Sequence, residues 1–252
     1  MSRGARIAVV IPMRDEREAV GPLFVKLAAV FAELPGMRAI VVDGGSTDGT
    51  RDEVRRHGAG LPVGILELDR GLGLGDALEA GLRHVLATSD VVVTLDGDDS
   101  HDPRTIPALV ARLEEGYDVV VASRFASGGA EIGVAPHRRA LSHVASAVLR
   151  SLFPMGEVRD YSSGFRAYRT RALEALAAGG RLVGETGFSC MLDLLLRLRA
   201  RGFRAAEVPL VLRYDLKASA SKMDVPGTVL RYLVLIGRNW RPRRSIEIRG
   251  VR

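Results

Sequence analysis

The chain has 252 residues, 36 Lys+Arg against 30 Asp+Glu, and 47% hydrophobic residues. That is enough apolar material for a sizeable core in one large domain or two small ones, and it excludes disorder as the main state. A lone cysteine, Cys190, excludes a disulfide framework and any multi-cysteine metal site, and implies a reducing compartment.

RIAVVI, at 6–11, is a short β-branched run that predicts a buried strand. Leu23, Leu27, Val30, Phe31 and Leu34 share one side of a helix over 16–34. A second strand, 38–42, ends at Asp43 and the turn GGSTDGT. A helix over 48–57, a strand over 62–68, a helix over 74–87 and a strand over 91–95 follow. The helix over 103–115 has proline near its start, where it is favoured, and 118–122 (DVVVA) is the fifth strand. Strands alternating with helices imply a parallel sheet with right-handed crossovers, flanked by helices. Such sheets bind ligands beyond the carboxyl ends of their strands, and the motifs described next fall there. The second half is less regular, with helices expected over 136–153, 168–178 and 186–201, a strand over 204–212 and a last helix over 225–239.

Within TLDGDDSHDP, 94–103, Asp96 and Asp98 follow a hydrophobic strand, and in extended geometry residues i and i+2 point the same way. Two carboxylates that close repel unless a cation sits between them. Mg²⁺ or Mn²⁺ on a diphosphate suits the pair, and Gly97 would let a ligand approach the backbone. The alternative is a plain acidic turn capped by Asp102 or Ser100. In VVDGGSTDGT, 41–50, Asp43 can accept from a nucleobase N–H, or the segment is only a well-formed strand–turn–helix joint. RGLGLGDALEAG, 70–81, offers glycines, but no GxGxxG follows the first strand, so dinucleotide binding is not supported. In DYSSGFRAYR, 160–169, Gly164 permits unusual backbone and Arg166 can pair with a phosphate or with Asp160. Asp193 lies in an apolar helix, either functional or a partner for Arg197 at i+4.

From residue 231 onward there are seven arginines and one acid, Glu247, so the whole formal net charge of +6 resides in this end. No apolar run reaches the ~18 residues of a membrane span, and MSRGARIAVVIPM shows no secretory leader. The expectation is a cytoplasmic protein, with the helix 136–153 (Arg138, Arg139 and His143 beside Leu141, Val144, Val148, Leu149, Leu152 and Phe153) and the basic tail as candidates for peripheral contact at the inner face of a membrane. No motif points to nucleic acid.

The order VVIPMRDE, VVDGGSTDGT, GLGLGDAL, LDGDDSHDP, VVVASRFASGG, SGFRAYR, AEVPL and SKM, across 6–224, resembles the family 2 glycosyltransferases. Among them it is most similar to the dolichol-phosphate mannosyltransferases and other polyprenyl-phosphate glycosyltransferases. The resemblance implies a GT-A fold over 1–224, a Rossmann-like nucleotide-binding half plus an acceptor half, followed by a C-terminal helix and basic tail over 225–252. It implies inverting transfer of a mannose- or glucose-type sugar from a GDP- or UDP-sugar to a polyprenyl phosphate. The donor would lie against Pro12, Glu16, Val42, Asp43, Asp96, Gly97 and Asp98, with Mg²⁺ or Mn²⁺ on Asp96 and Asp98. The acceptor phosphate would meet Arg124, Arg138, Ser142 and Arg213. The alternative is a soluble member acting on a hydroxyl or amine, for which Asp193 is the candidate catalytic base and Glu185 the next; a non-catalytic nucleotide-sugar sensor is a third reading. The sequence departs from the family at Asp15 (usually Asn), Gly44 (often Asp), Ser100 (a metal-binding Gln in some members) and Met191 (Gln of a helix motif in which Asp193 takes the acid's place).

Overall fold

The computed structural model describes residues 4–217 and 224–240. The SKM motif at 221–223 and the tail beyond Trp240 lie outside the described residues. The strands are β1 (Ile7–Met13), β2 (Met37–Asp43), β3 (Val63–Glu67), β4 (Val91–Thr94), β5 (Val119–Ser123), β6 (Ala130–Ile132), β7 (Arg166–Arg169), β8 (Ala205–Pro209) and β9 (Val211–Arg213). The helices are α1 (Arg17–Glu33), α2 (Thr50–Gly58), α3 (Leu74–Leu86), α4 (Ile106–Glu114), α5 (Pro136–Leu152), α6 (Thr170–Ala177), α7 (Cys190–Ala200) and α8 (Val225–Asn239).

Seven strands form one sheet in the order β3-β2-β1-β4-β7-β5-β8. The pairs β1–β2, β2–β3, β1–β4 and β5–β8 are parallel. Alternation along β1 explains why the sheet is buried on both sides. Ala8 and Val10 enter one core layer with Leu78, Leu82, Leu173 and Leu195, while Ile7, Val9 and Ile11 enter the other with Leu23, Leu27 and Leu109. The mixed α/β architecture with helices on both faces is the GT-A arrangement expected. Chain order reverses between β1 and β4, and a crevice opens beyond the strand ends at such a point. Pro12, Asp43, Asp96 and Asp98 all sit at those ends.

Three expectations need correction. The helix predicted over 168–178 starts two residues later, because Tyr168 and Arg169 belong to β7, which runs antiparallel between β4 and β5. The predicted strand 204–212 is two strands. β8 pairs with β5 up to Pro209, and β9 leaves the main sheet to pair with β6. At the corner between them, Leu210 N donates to Ser123 O, and Leu210 O accepts from Ala130 N. A single 3-10 turn, Pro103–Thr105, precedes α4 where a continuous helix was expected.

α5 also departs from a simple amphipathic helix. Ser146 and Leu149 turn inward, whereas Leu141, Val144, Val148 and Leu152 face outward. On α8, Leu235 packs in the core with Tyr232 and Ile236 against it, and Val229, Leu230, Leu233 and Val234 are exposed. Among the described residues, no helix is long and apolar enough to cross a membrane.

Candidate active site

The turn after β4 is built so that two carboxylates stay close to β1. Gly97 packs on the end of that strand: a Cβ there would lie 2.9 Å from Pro12 O and closer still to the Met13 side chain. Its lack of a side chain therefore lets two chain segments approach each other closely. Gly164 has the same use on the other side, since a Cβ would stand 2.7 Å from Asp96 Oδ1. It makes room for the carboxylate and has no unusual φ. Asp99, at φ 61°, completes the turn and is clamped to α1 by Lys26 Nζ at 2.7 and 2.8 Å.

The two carboxylates have different surroundings. Asp98 Oδ1 accepts from Ser100 N (3.1 Å) and Ser100 Oγ (2.5 Å), and Oδ2 accepts from Lys217 Nζ at 2.5 Å. Burial alone would lift the Asp98 carboxyl; Lys217, His101 and the Ser100 hydroxyl outweigh it and hold it below the ordinary aspartate value. Asp96 keeps 38% of its side chain exposed, with His101 Nδ1 3.6 Å from its Oδ2. Loss of hydration among the surrounding chain segments and the charge of Asp98 push its carboxyl up, against the pull of His101 and Lys217. His101 is itself buried, stacked on Phe165 at 5.6 Å, and its Nδ1 has no hydrogen-bond partner. Ser100 braces Asp98, and this is what stands where some members have a metal-binding glutamine.

These groups fit a hard divalent ion. The donor set is all oxygen, and a monocation already rests on Asp98. No cluster of three or more metal-ligating side chains occurs among the described residues. Two carboxylates leave the other positions to phosphate oxygens and water, which is how Mg²⁺ is usually held.

Asp43, fully buried, ends β2. Its Oδ2 accepts from Gly45 N (3.2 Å) and Ser46 N (3.1 Å), while its Oδ1 is buried without a partner. A buried acceptor left unpaired costs about 1–3 kcal/mol, and a ligand N–H would recover it. Asp15 (φ 51°) links this turn to the end of β1: its N donates to Ser46 Oγ and its Oδ1 accepts from Thr47 N at 2.8 Å. That left-handed backbone suits the asparagine more usual in the family, and aspartate tolerates it too. Arg14, Asp15, Gly44, Gly45, Arg70 and Gly71 line a cavity of about 190 Å³ beside it. Glu16 is buried, with its N donating to Thr50 Oγ1, and Pro12 is half-buried. Val42 packs wholly in the core beneath α3, so its side chain shapes the floor of the cleft and does not face it.

The predicted acceptor residues cluster around α5 and the end of β9. Arg124 is held by Asp160 (2.7 and 2.9 Å), Glu131 (3.1 Å) and Ser162 Oγ (2.7 Å). Arg138 Nη1 donates to Tyr214 Oη at 3.1 Å, and half-buried Ser142 lies one helical turn along. Arg213 pairs with Asp215, and its N donates to Ser100 O at 2.9 Å, which joins this cluster to the Asp96–Asp98 turn. Arg166 does not meet Asp160 or solvent. It is completely buried and donates to Met191 O and Tyr161 O. Asp193 accepts from Gly184 N at 3.0 Å and lies 3.6 Å from Arg197, so it ties α7 to the preceding loop, and burial raises its pKa. Glu185 accepts from Ser189 Oγ and faces Arg231 and Arg238 of α8.

Residues 8–177 match the family model described as glycosyl transferase family 2. The chain is a family 2 glycosyltransferase. It is 31% identical over 250 residues to the polyprenol monophosphomannose synthase of Mycolicibacterium smegmatis, covering 98% of this chain and 91% of that one. It is 31% identical over 221 residues to the undecaprenyl-phosphate mannosyltransferase of Micrococcus luteus (87% and 88%). The dolichol-phosphate mannosyltransferase of Pyrococcus furiosus is 27% identical over 229 residues; these are 90% of this chain but 62% of that longer protein. The fold of this glycosyltransferase matches glucosyl-3-phosphoglycerate synthase of Mycobacterium tuberculosis in its complex with Mn²⁺, UDP and phosphoglyceric acid, with TM-score 0.72, 22% identity and 94% and 78% coverage. His101 and Lys217 belong to the site without having been singled out in the sequence. His101 lies inside the acidic motif, so position alone could have flagged it. Nothing local marks Lys217, 119 residues beyond Asp98.

Proposed function

We propose that the protein transfers a hexose, with inversion, from a nucleoside diphosphate sugar to a polyprenyl phosphate in a divalent-metal-dependent reaction. One observation carries this reading. The backbone of Arg213 is bonded to Ser100, so the arginine cluster adjoins the carboxylate turn. A phosphate acceptor and a diphosphate donor can therefore meet there. Asp43 Oδ1 would accept the base N–H, and Asp96 and Asp98 would hold the ion, which when bound would supply Lewis-acid stabilisation of the leaving group. Arg138, Ser142 and Arg213 orient the acceptor phosphate, and Arg124 contributes from within its carboxylate cage. A phosphate monoester is already ionised near neutral pH, so no base is required, in keeping with the structural ties of Asp193. The mannosyltransferase names of the relatives favour mannose, and the same names favour a lipid acceptor.

A lipid acceptor brings the enzyme to a membrane surface. The outward apolar stripes of α5 and α8, with Arg138, Arg139, Arg231 and Arg238 on the same helices, suit an anionic bilayer. The test is incubation of the purified chain with Mn²⁺, GDP-mannose or a UDP-hexose, and a short polyprenyl phosphate. Lipid-linked sugar is expected, with turnover abolished in Asp98→Ala. Turnover confined to a hydroxyl acceptor would overturn the reading.

A further inference from the structure

Asp98 is not waiting with open oxygens. Lys217 directly follows the strap formed by β9 and the 3-10 turn Tyr214–Leu216, and its ammonium occupies Asp98 Oδ2 at 2.5 Å with only 13% of the side chain exposed. The other oxygen is taken by Ser100. Lys217 also lies close enough to Asp96 and Glu16 for their charges to interact with it. Its direct ion pair is with Asp98, one of the two carboxylates proposed to hold the divalent ion. A metal ion approaching Asp98 Oδ2 must compete with that ammonium, because two cations cannot share one small oxygen site without strong repulsion. A lysine is suited to yield, being a compact charge on a flexible four-carbon stem with three donors.

We propose that Lys217 is a placeholder cation that cedes Asp98 to the metal and moves onto the donor's diphosphate, where it becomes a second cation for the leaving group. This rests on the metal and donor reading given above. In the transfer, the bond between the anomeric carbon and the β-phosphate oxygen breaks and its electron pair stays on that oxygen. The acceptor phosphate oxygen forms the new bond to carbon. The Lys217 ammonium donates a hydrogen bond to the departing oxygen and keeps its proton. The same strap carries Tyr214, which holds Arg138, so the movement of Lys217 starts from an element that also touches the acceptor side. A lysine with a purely structural role would hold the strap down, and its loss would not improve metal binding.

The discriminating measurement is Mn²⁺ binding by electron paramagnetic resonance, on the full chain without donor, for wild type, Lys217→Met and Lys217→Arg. Lys217→Met is expected to bind Mn²⁺ alone several-fold more tightly. With Mn²⁺ present it should bind GDP and UDP, tested separately, about tenfold more weakly, the order of one charge-assisted hydrogen bond. Lys217→Arg should resemble wild type in both. Lys217→Met that binds Mn²⁺ no better than wild type overturns the placeholder, and unchanged nucleotide affinity overturns the movement to the leaving group. Wild type that binds no Mn²⁺ even with GDP or UDP overturns the metal reading and Lys217's role together, whereas normal wild-type binding matched by Lys217→Met removes Lys217 alone.

Discussion

Asp160 shows how one buried side chain organises a neighbourhood. It accepts from Arg124 and from the backbone of Ser162 and Ser163, and the Arg124 guanidinium holds its carboxyl below the usual range despite complete burial. A depressed acid contributes stability above the unfolded value of about 4, and the contribution is lost as pH falls through the folded value. Asp160→Asn should therefore lose about 3 kcal/mol at neutral pH, as breaking a buried pair does. Denaturant titrations between about pH 7 and pH 3 should show a flatter decline for the variant than for wild type. The sequence suggested Arg166 as a partner for this acid, since the two are six residues apart, and the structure gives the role to Arg124 at a separation of 36. Local spacing brings candidates to mind, but only the packing of β5 against the 160–165 loop decides which guanidinium arrives.

At the scale of elements, the first half of the chain was legible because each strand there is a short β-branched run bounded by turn residues. The seven-residue β1 and β2 are buried on both faces, which leaves no alternation to misread. β7 was not legible. RAYR is four residues long and runs directly into α6, so its alternation merges with a helical pattern. What makes it a strand is the gap between β4 and β5, which it fills with antiparallel hydrogen bonds on both sides. α3 offers a test of how tightly an element sits on the sheet. A Cβ at Gly81 would lie 2.5 Å from Val10 Cγ1 and 2.7 Å from Val42 Cγ2. Gly81→Ala gains about 1 kcal/mol of helix propensity but overpacks a dense core at about 1–3 kcal/mol or more. A net loss is expected, read as a melting temperature lowered by several degrees; a raised value would show that α3 can lift off the sheet freely.

Across the whole molecule, the question is where the uncovered apolar surface goes. Leu230 and Leu233 are about 60% exposed on α8, and outward stripes of this kind mark interaction sites. The double variant Leu230→Glu with Leu233→Glu should lose co-sedimentation with phosphatidylglycerol-containing vesicles. It should retain turnover on a short, water-dispersed polyprenyl phosphate. Undiminished vesicle binding would assign this face to something other than lipid.

Taken by itself, the sequence determined the α/β winding, the family and the carboxylates at the strand ends, because these follow from apolar runs and from motifs contiguous in the chain. Tertiary structure alone decided that Lys217 sits on Asp98, that Arg124 is caged by Asp160 and Glu131, that Gly97 serves packing, and that α5 turns most of its apolar face outward. The physical reason is range. Periodicity and turn chemistry act over a few residues, whereas charge pairing and close packing join residues that only the folded sheet brings within a few ångströms.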